Sequence, residues 1–350
     1  MAIAEKMKNA YRRWARISLV LVYLVILAGA VVRMTGSGMG CPDWPKCFGY
    51  LIPPTQESEL YWTPGKAFSK GQVIIREEQL LLAREDFTAG EAFEAAHWEP
   101  YTRHDYATFN AAHTWTEYIN RLMGALSGLA ILIMAICSLA WWRERKSRVL
   151  FAWLAVAALV FQAWLGATVV YSVLAPWRIT VHMFMALVIV GMLLWIIHRS
   201  ATHTRVHLRD RTTYLTWWLT VVFSLFQILM GTQVRQFVDE QAENTGMAQK
   251  AEWLADAPSV FFLHRSFSIV LLLMHLYVIF RNYRYQLGYT NLYPTLAALL
   301  FILFSGVAMN YLHFPWGSQP VHLVAASVLF GLQWYVWLQM RQAARTRISL

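Results

Sequence analysis

Eight long apolar runs constrain the fold of this 350-residue chain more than any other feature of its sequence. Each is long enough to cross a bilayer as a helix, which takes roughly 17 to 25 residues. Hydrophobic residues make up 57% of the chain and charged residues only 14%, which is not the composition of a soluble protein. The runs lie at about 17–34, 113–140, 149–172, 179–198, 214–236, 260–280, 293–311 and 320–340.

Inside a bilayer the backbone must satisfy its own hydrogen bonds, so only helices and closed barrels span it. The runs lack the alternation over about ten residues that is typical of barrel strands. The sequence therefore predicts an all-α polytopic membrane protein with eight transmembrane helices in contact with the lipid bilayer.

The charges predict an orientation. Lysines and arginines concentrate in the two termini and in the loops after the second, fourth and sixth runs, whereas most acids lie in the loops 35–112 and 237–259. By the positive-inside rule we expect both termini in the cytoplasm, these two loops outside, and an inner (cytoplasmic) membrane location. The net charge of +10 then reflects topology, and no nucleic-acid partner is expected. A cleavable signal peptide is the alternative for the first run, but a later repeat of that run favours its retention.

The chain contains an internal repeat. "GATVVYSVLAPWRITVH" ends at His182 and "GVAMNYLHFPWGSQPVH" ends at His322, with equal Gly-to-His spacing and a Pro-Trp pair in each. "LAGAVVR" and "LMGTQVR" each place a glycine four residues before an arginine. Parallel repeats of this kind are found in membrane proteins built from two similar halves. We therefore expect two repeated four-helix bundles, an N-terminal half 1–205 and a C-terminal half 206–350.

The long first loop distinguishes the two halves. Its apolar patch at about 72–98 could form an amphipathic surface helix. Cys41 and Cys47, in "CPDWPKC", lie in this loop, where an oxidising compartment permits a disulfide. Cys137, inside the second run, is interpreted as a small packing residue.

Each even-numbered run has one notable polar residue near its start, in order Asn120, His182, His264 and His322. Two imidazoles on helices of one bundle can supply both axial ligands of a haem iron. We expect His264 and His322 to do so; the alternative is that each is a hydrogen-bonded packing residue. His313 is expected to face water, and four more histidines are interpreted as structural: His198, His203, His207 and His275.

Four arginines stand near the same ends of the runs, two in each half: Arg33, Arg121, Arg235 and Arg265. The planar guanidinium fork suits carboxylates, so we expect these arginines to bind haem propionates. Snorkelling to the membrane surface is the alternative.

Glu117 is the distinctive acid, because a carboxylate at membrane depth costs about 2.5 to 3.5 kcal/mol and usually marks a functional interior. It lies four residues after His113 and three before Asn120, so the three share a helical face. The repeat-equivalent position holds Phe261. We therefore expect the reactive cavity in the first half and a redox cofactor in the second.

Five segments together resemble the haem A synthase family, over nearly the whole chain except the middle of the first loop: "GAVVRMTGSGMGCPDWPKCFG", "EYINRLMG", "QAWLGATVV", "FLHRSFS" and "PVHL". The resemblance implies a membrane oxidoreductase that converts haem O to haem A by oxidising the C8 methyl to a formyl group. It implies a haem b cofactor on His264 and His322, with haem O as the substrate in the first half. By analogy its partners are haem O synthase and cytochrome oxidase assembly proteins, and the electron acceptor is left open.

The resemblance also implies roles in the first half. The family's glutamate matches Glu117, which would stabilise positive charge at the oxidised methyl carbon or take a proton from water. His182 matches a family haem ligand, whereas the histidine of the family's E-x-x-H-R motif is Asn120 here. A haem in this half would have His182 as its firm axial ligand unless His113, about 10.5 Å above Asn120, substitutes.

Cys41 and Cys47 match the family's cysteine pair, as a structural clip or as a redox-active disulfide. Two other functions fit parts of the sequence. A di-haem membrane cytochrome that only carries electrons explains the paired histidines, but it leaves Glu117 and the difference between the halves unexplained. A haem transporter or chaperone is the third interpretation.

Overall fold

A computed structural model describes residues 2–104, 106–200, 207–208, 210–246 and 248–346 of the protein. The predicted boundary between residues 205 and 206, and His203, lie outside the described residues.

Among the described residues, eight helices are long and apolar enough to cross a membrane. The prediction of an all-α membrane protein with eight transmembrane helices is therefore confirmed. The helices are α1 Ala2–Met34, α2 Ala111–Ser138, α3 Lys146–Tyr171, α4 Pro176–Ser200, α5 Arg211–Thr245, α6 Ser259–Arg284, α7 Leu292–Tyr311 and α8 Ser318–Thr346.

The sequence repeat has a counterpart in the backbone of two turns. Between α3 and α4, Val173 and Leu174 have φ of 49° and 61°; between α7 and α8, His313 and Phe314 have φ of 51° and 52°. Consecutive non-glycine residues in this left-handed region are uncommon. The same unusual turn precedes α4 and α8, and in both repeats it lies at the same distance before the histidine, with Leu174 before His182 and Phe314 before His322.

The helices of the C-terminal part pack as a closed ring, in which α5 contacts α6 and α8, and α7 contacts the same two helices. Leu271, Leu299 and Leu329 form an apolar cluster in it. His275 is fully buried, bonds to the Leu271 carbonyl at 2.7 Å and lies 3.1 Å from the Gln333 amide nitrogen. These contacts support its interpretation as a structural histidine.

The long loop contains small β-sheets where the sequence suggested a surface helix. β1 Ala67–Phe68 pairs with β4 Phe87–Thr88, and β3 Gln79–Ala83 lies between β2 Val73–Arg76 and β5 Trp98–Pro100, all antiparallel. The expectation of an amphipathic helix over 72–98 is therefore wrong.

The physical reason is that the hairpin of β2 and β3 buries apolar side chains on both faces. Val73 and Leu80 enter one small core, whereas Ile74 and Ala83 enter another. Side chains that alternate between two cores leave no polar face, so the strand period of two is hidden in a continuous apolar run.

By its contacts the chain forms two compact units. Unit 1 contains Met1–Tyr23, Leu129–Ala158 and Phe184–Leu350, and therefore all of α5 to α8. Unit 2 contains Leu24–Gly128 and Leu159–Met183, and therefore the whole long loop. The division into an N-terminal half 1–205 and a C-terminal half 206–350 stays a prediction.

Candidate active site

In unit 2, two polar side chains of even-numbered helices each face a glycine of the preceding helix. A Cβ added at Gly29 of α1 would lie 3.8 Å from Oδ1 of Asn120 on α2. A Cβ added at Gly166 of α3 would lie 3.3 Å from Cε1 of His182 on α4. The missing side chains let an amide and an imidazole approach the neighbouring backbone closely.

Unit 1 contains the same arrangement twice. A Cβ added at Gly231 of α5 would lie 3.1 Å from Cε1 of His264 on α6. A Cβ added at Gly306 of α7 would lie 3.5 Å from Cε1 of His322 on α8. Each of the four polar residues that the sequence aligned by repeat thus faces a glycine of the preceding helix.

His264 and His322 are each oriented through Nδ1. The Gln227 carbonyl lies 3.2 Å from Nδ1 of His264 and can only accept, so that nitrogen carries the proton. The Ser305 hydroxyl donates to the Ile302 carbonyl at 2.8 Å and therefore accepts from Nδ1 of His322, also at 2.8 Å. In both rings Nε2 is therefore the unprotonated nitrogen, which can accept or bind a metal.

This donor set fits two axial ligands of one haem. An imidazole that binds a metal through one nitrogen usually donates its other N–H to a fixed acceptor. The imidazoles of His264 and His322 are also close enough to interact electrostatically. The chemistry of the pair therefore suits a resident haem iron.

His182 is held differently. The Gln162 amide nitrogen donates to the His182 carbonyl at 3.0 Å and lies 3.3 Å from its Nε2. Nδ1 of His182 is buried and has no hydrogen-bond partner in the described part of the chain. Among the described residues no acceptor orients this ring through Nδ1, and its Nε2 lies next to the Gln162 amide.

Glu117 and Arg121, one turn apart on α2, form an ion pair in which Glu117 is buried and Arg121 is partly buried. Nε of Arg121 donates to Oε1 of Glu117 at 3.1 Å. The second carboxylate oxygen, Oε2, accepts the backbone N–H of Cys41 at 2.8 Å. The acid is thus neutralised by a neighbouring cation and bonded to the loop above it.

Arg121 holds that loop by its carbonyls. Nη1 donates to the Asp43 and Lys46 carbonyls at 2.7 and 2.8 Å, and Nη2 donates to the Cys41 carbonyl at 3.2 Å. The donors of the guanidinium are therefore directed at backbone and at Glu117, so binding a propionate would require them to rearrange.

Cys41 and Cys47 form a disulfide, as expected. Inside the loop that they close, the Asp43 carboxylate accepts the N–H groups of Phe48 and Gly49 at 2.5 and 2.8 Å. Burial raises the pKa of the Asp43 carboxyl, against the lowering effect of the Gly49 N–H and of Arg121. We refer to residues 41–47 as the disulfide loop.

Cys41 of the disulfide loop and Gly40 just before it lie directly on the start of α2. The Thr114 hydroxyl donates to the Gly40 carbonyl at 2.7 Å. A Cβ added at Gly40 would lie 2.5 Å from the His113 carbonyl carbon and oxygen, so only glycine fits there. His113 thus contributes its backbone to this contact, and its side chain is partly buried.

The other predicted arginines have separate surroundings. Arg235 pairs with Asp239 one turn later on α5, at 2.6 Å. Arg265 is exposed and its guanidinium lies over the rings of Phe261 and Phe262, at 5.9 and 5.4 Å from their centroids. Arg33 is partly buried near the end of α1.

Comparison with known proteins identifies the family. Residues 12–74 and 71–334 match COX15-CtaA, described as cytochrome oxidase assembly protein. The chain belongs to this family. Because the match covers most of the chain, it includes every predicted site residue, from Arg33 to His322.

Curated relatives of the chain carry the name Heme A synthase, which confirms the resemblance found in the sequence. One from Bartonella quintana is 21% identical over 370 residues, covering 98% of this chain and 96% of that protein. One from Bradyrhizobium sp. is 28% identical over 233 residues, covering 64% and 56%. A segment of 45 residues is 56% identical to the Shewanella oneidensis protein and covers 14% of it. The matches to the last two proteins span less than two thirds of their length.

In this COX15-CtaA member, sequence reasoning missed three side chains that contact the histidines. Gln162 and Gln227 each stand four residues before a glycine, in "QAWLG" and "QILMG", and this shared spacing is the signal that could have found them, although their repeat equivalents are Ile302 and Val25. Ser305 had no such signal, because the residues before Gly166 and Gly231 are leucine and methionine.

Proposed function

We propose that the protein is a haem A synthase that oxidises the C8 methyl group of haem O to a formyl group. The observation that carries the proposal is the difference between two equivalent sites. In one, a buried acid, Glu117, lies one turn before Asn120; in the other, Phe261 stands before an imidazole that is oriented for iron. A pure electron carrier would need no buried acid beside only one of its sites.

In the proposed reaction the oxygen atoms come from water and the electrons go to an acceptor. Two successive oxidations each remove two electrons and two protons and add one water oxygen, giving first an alcohol and then a hydrated aldehyde. The hydrate loses water to leave the formyl group. The four electrons pass to an external acceptor.

Glu117 is the residue proposed to assist these oxidations. Its carboxylate would stabilise positive charge developing at the methyl carbon, or would take the proton of the attacking water. Arg121 and the Cys41 N–H fix the acid in position, so it needs no reorganisation as charge develops. His182 would bind the substrate iron.

His264 and His322 would hold haem b in unit 1. When bound there, haem b supplies one-electron transfer. The Gln227 carbonyl and Ser305 keep both rings in the tautomer that leaves Nε2 for the metal. Arg33, Arg121, Arg235 and Arg265 are proposed to contribute positive charge to the propionate ends of the haems.

The deciding experiment is to express the protein with a haem O synthase in a host that makes no haem A. Extracted haems are separated by chromatography and identified by mass spectrometry. Haem A in the cells with this protein, and not in cells with an empty vector, supports the proposal. If only bound haem b is found, with a suitable electron acceptor present, the di-haem electron carrier replaces it.

We also propose an inner-membrane location with both termini in the cytoplasm, supported by the distribution of lysine and arginine. Haem O synthase would supply the substrate, and assembly of cytochrome oxidase would use the product. Alkaline phosphatase fused within 237–259 should be active and fused at the C-terminus inactive. The reverse pattern would contradict this orientation.

A further inference from the structure

Asn120 is the one member of the four glycine-facing residues that is not a histidine. Its Oδ1 lies 3.8 Å from where a Gly29 Cβ would be, whereas the three imidazoles approach their glycines to between 3.1 and 3.5 Å. The amide thus occupies the position of an imidazole with a shorter side chain. The volume that the imidazole ring fills at the other three positions is therefore available to another group beside Asn120.

A carboxamide is a poor replacement for imidazole as an iron ligand, since haem proteins use histidine, cysteine, methionine or tyrosine. A porphyrin bound through His182 would therefore meet no protein ligand from α2 at this position. Its iron would keep one coordination position open.

The amide of Asn120 can still form hydrogen bonds. Oδ1 is buried and has no partner among the residues that the structure describes. Buried polar groups in folded proteins are nearly always paired, so an unpaired one requires an explanation. An amide presents a donor on one side and an acceptor on the other, and rotation about its last bond exchanges them.

We propose that Asn120 hydrogen-bonds a small ligand, such as water or a small anion, in the open coordination position of the substrate haem. The inference rests on the proposed function, because it assumes that haem O binds through His182. It adds that the substrate iron is accessible to exogenous ligands, while the iron held by His264 and His322 is closed on both sides.

This difference also accounts for the looser surroundings of His182. A resident cofactor is retained by two imidazoles whose Nδ1 atoms have fixed acceptors, at 3.2 and 2.8 Å. A substrate must enter and leave, and a single ligand whose Nδ1 has no described partner releases it more readily.

The test uses the full-length protein loaded with haem O in detergent. Carbon monoxide is added to the reduced protein, and azide is titrated into the oxidised protein, each followed by optical and magnetic circular dichroism spectra. We expect carbon monoxide to bind the haem O and to leave the bis-histidine haem b signal unchanged. A haem O that is low-spin and inert to carbon monoxide in the wild type overturns the inference.

Two substitutions of Asn120 test separately whether the haem O iron has an open coordination position and whether Asn120 hydrogen-bonds the ligand there. Asn120→His should convert haem O to a low-spin form that no longer binds carbon monoxide. Asn120→Leu should keep carbon monoxide binding but weaken azide about two- to tenfold, the effect of losing one hydrogen bond. Unchanged azide affinity in Asn120→Leu, or unchanged carbon monoxide binding in Asn120→His, contradicts the role of this residue.

Ile119→Ala is the matched control, since Ile119 is the neighbouring residue and its side chain is 51% exposed. It should bind both ligands as the wild type does. The spectra report ligand binding to haem O and do not depend on turnover, so they test this inference separately from haem A synthesis. Haem O that is inert to carbon monoxide in a protein that makes haem A removes only the inference, whereas failure to make haem A in cells removes the proposed function as well.

Discussion

The carboxylate of Glu117 and the backbone N–H of Cys41 are joined by a 2.8 Å hydrogen bond. This bond connects the acid of α2 to the disulfide loop, and Arg121 reinforces the connection by donating to the carbonyls of the loop. Glu117 therefore has a structural partner as well as its proposed catalytic role. A test of its chemistry must keep the loop in place.

Glu117→Gln provides that test. The glutamine carbonyl oxygen can still accept the Cys41 N–H, but the negative charge is lost. We expect haem A formation to fall by about 100-fold or more, the usual contribution of a positioned acid or base. Haem b content should stay at the wild-type level, and both are measured on extracted haems from the same preparation.

Thr114→Val is the control for the loop, because it removes the hydroxyl that bonds the Gly40 carbonyl at 2.7 Å and leaves Glu117 intact. It should lower the stability of the loop against proteolysis while keeping most of the haem A formation. If Glu117→Gln loses haem b, or if Thr114→Val loses as much product, Glu117 is structural rather than catalytic.

Replacing either His264 or His322 should remove the haem b signal. In His264→Ala and in His322→Ala, the iron would lose one of two axial ligands, so the low-spin bis-histidine spectrum should disappear. His313→Ala is the control, since His313 is exposed in the turn before α8. An unchanged low-spin spectrum in both single variants would refute their role as ligands.

The transmembrane helices could be predicted from the sequence because length and hydrophobicity are local properties. The positions of Asn120, His182, His264 and His322 near the starts of their helices could be predicted because the repeat aligned them, and in the structure each of the four faces a glycine of the preceding helix. The hairpin of β2 and β3 could not, because its two apolar faces are explained only by two cores formed by distant residues.

The contacts of the arginines also could not be predicted from the sequence. By repeat, Arg121 and Arg265 are equivalent. In the structure Arg121 binds Glu117 and the disulfide loop, whereas Arg265 is exposed against Phe261 and Phe262. A repeat predicts which residue occupies a position. It does not predict the partners that a long loop, present in only one half, supplies to that residue.

The glycine contacts predict a graded effect of adding a methyl group. In Gly231→Ala the new Cβ would lie 3.1 Å from the His264 ring, so the imidazole must shift; such overpacking typically costs about 1 to 3 kcal/mol. In Gly306→Ala the distance of 3.5 Å to His322 is an ordinary contact. We expect Gly231→Ala to lose haem b on detergent washing and Gly306→Ala to retain it. Equal retention would show that the His264 ring is free to move.

Ser305 tests whether the orientation of His322 matters as well as its presence. Ser305→Ala removes the acceptor of the Nδ1–H at 2.8 Å and leaves the ring itself in place. Loss of such an outer hydrogen bond typically lowers metal affinity or activity by about 10- to 100-fold, so haem b should dissociate faster while its spectrum stays low-spin. Ser305→Thr keeps the hydroxyl and should behave as the wild type. Haem b dissociation is followed by transfer to apomyoglobin, and equal rates in Ser305→Ala and the wild type would mean that the ring is oriented by packing against Gly306 alone.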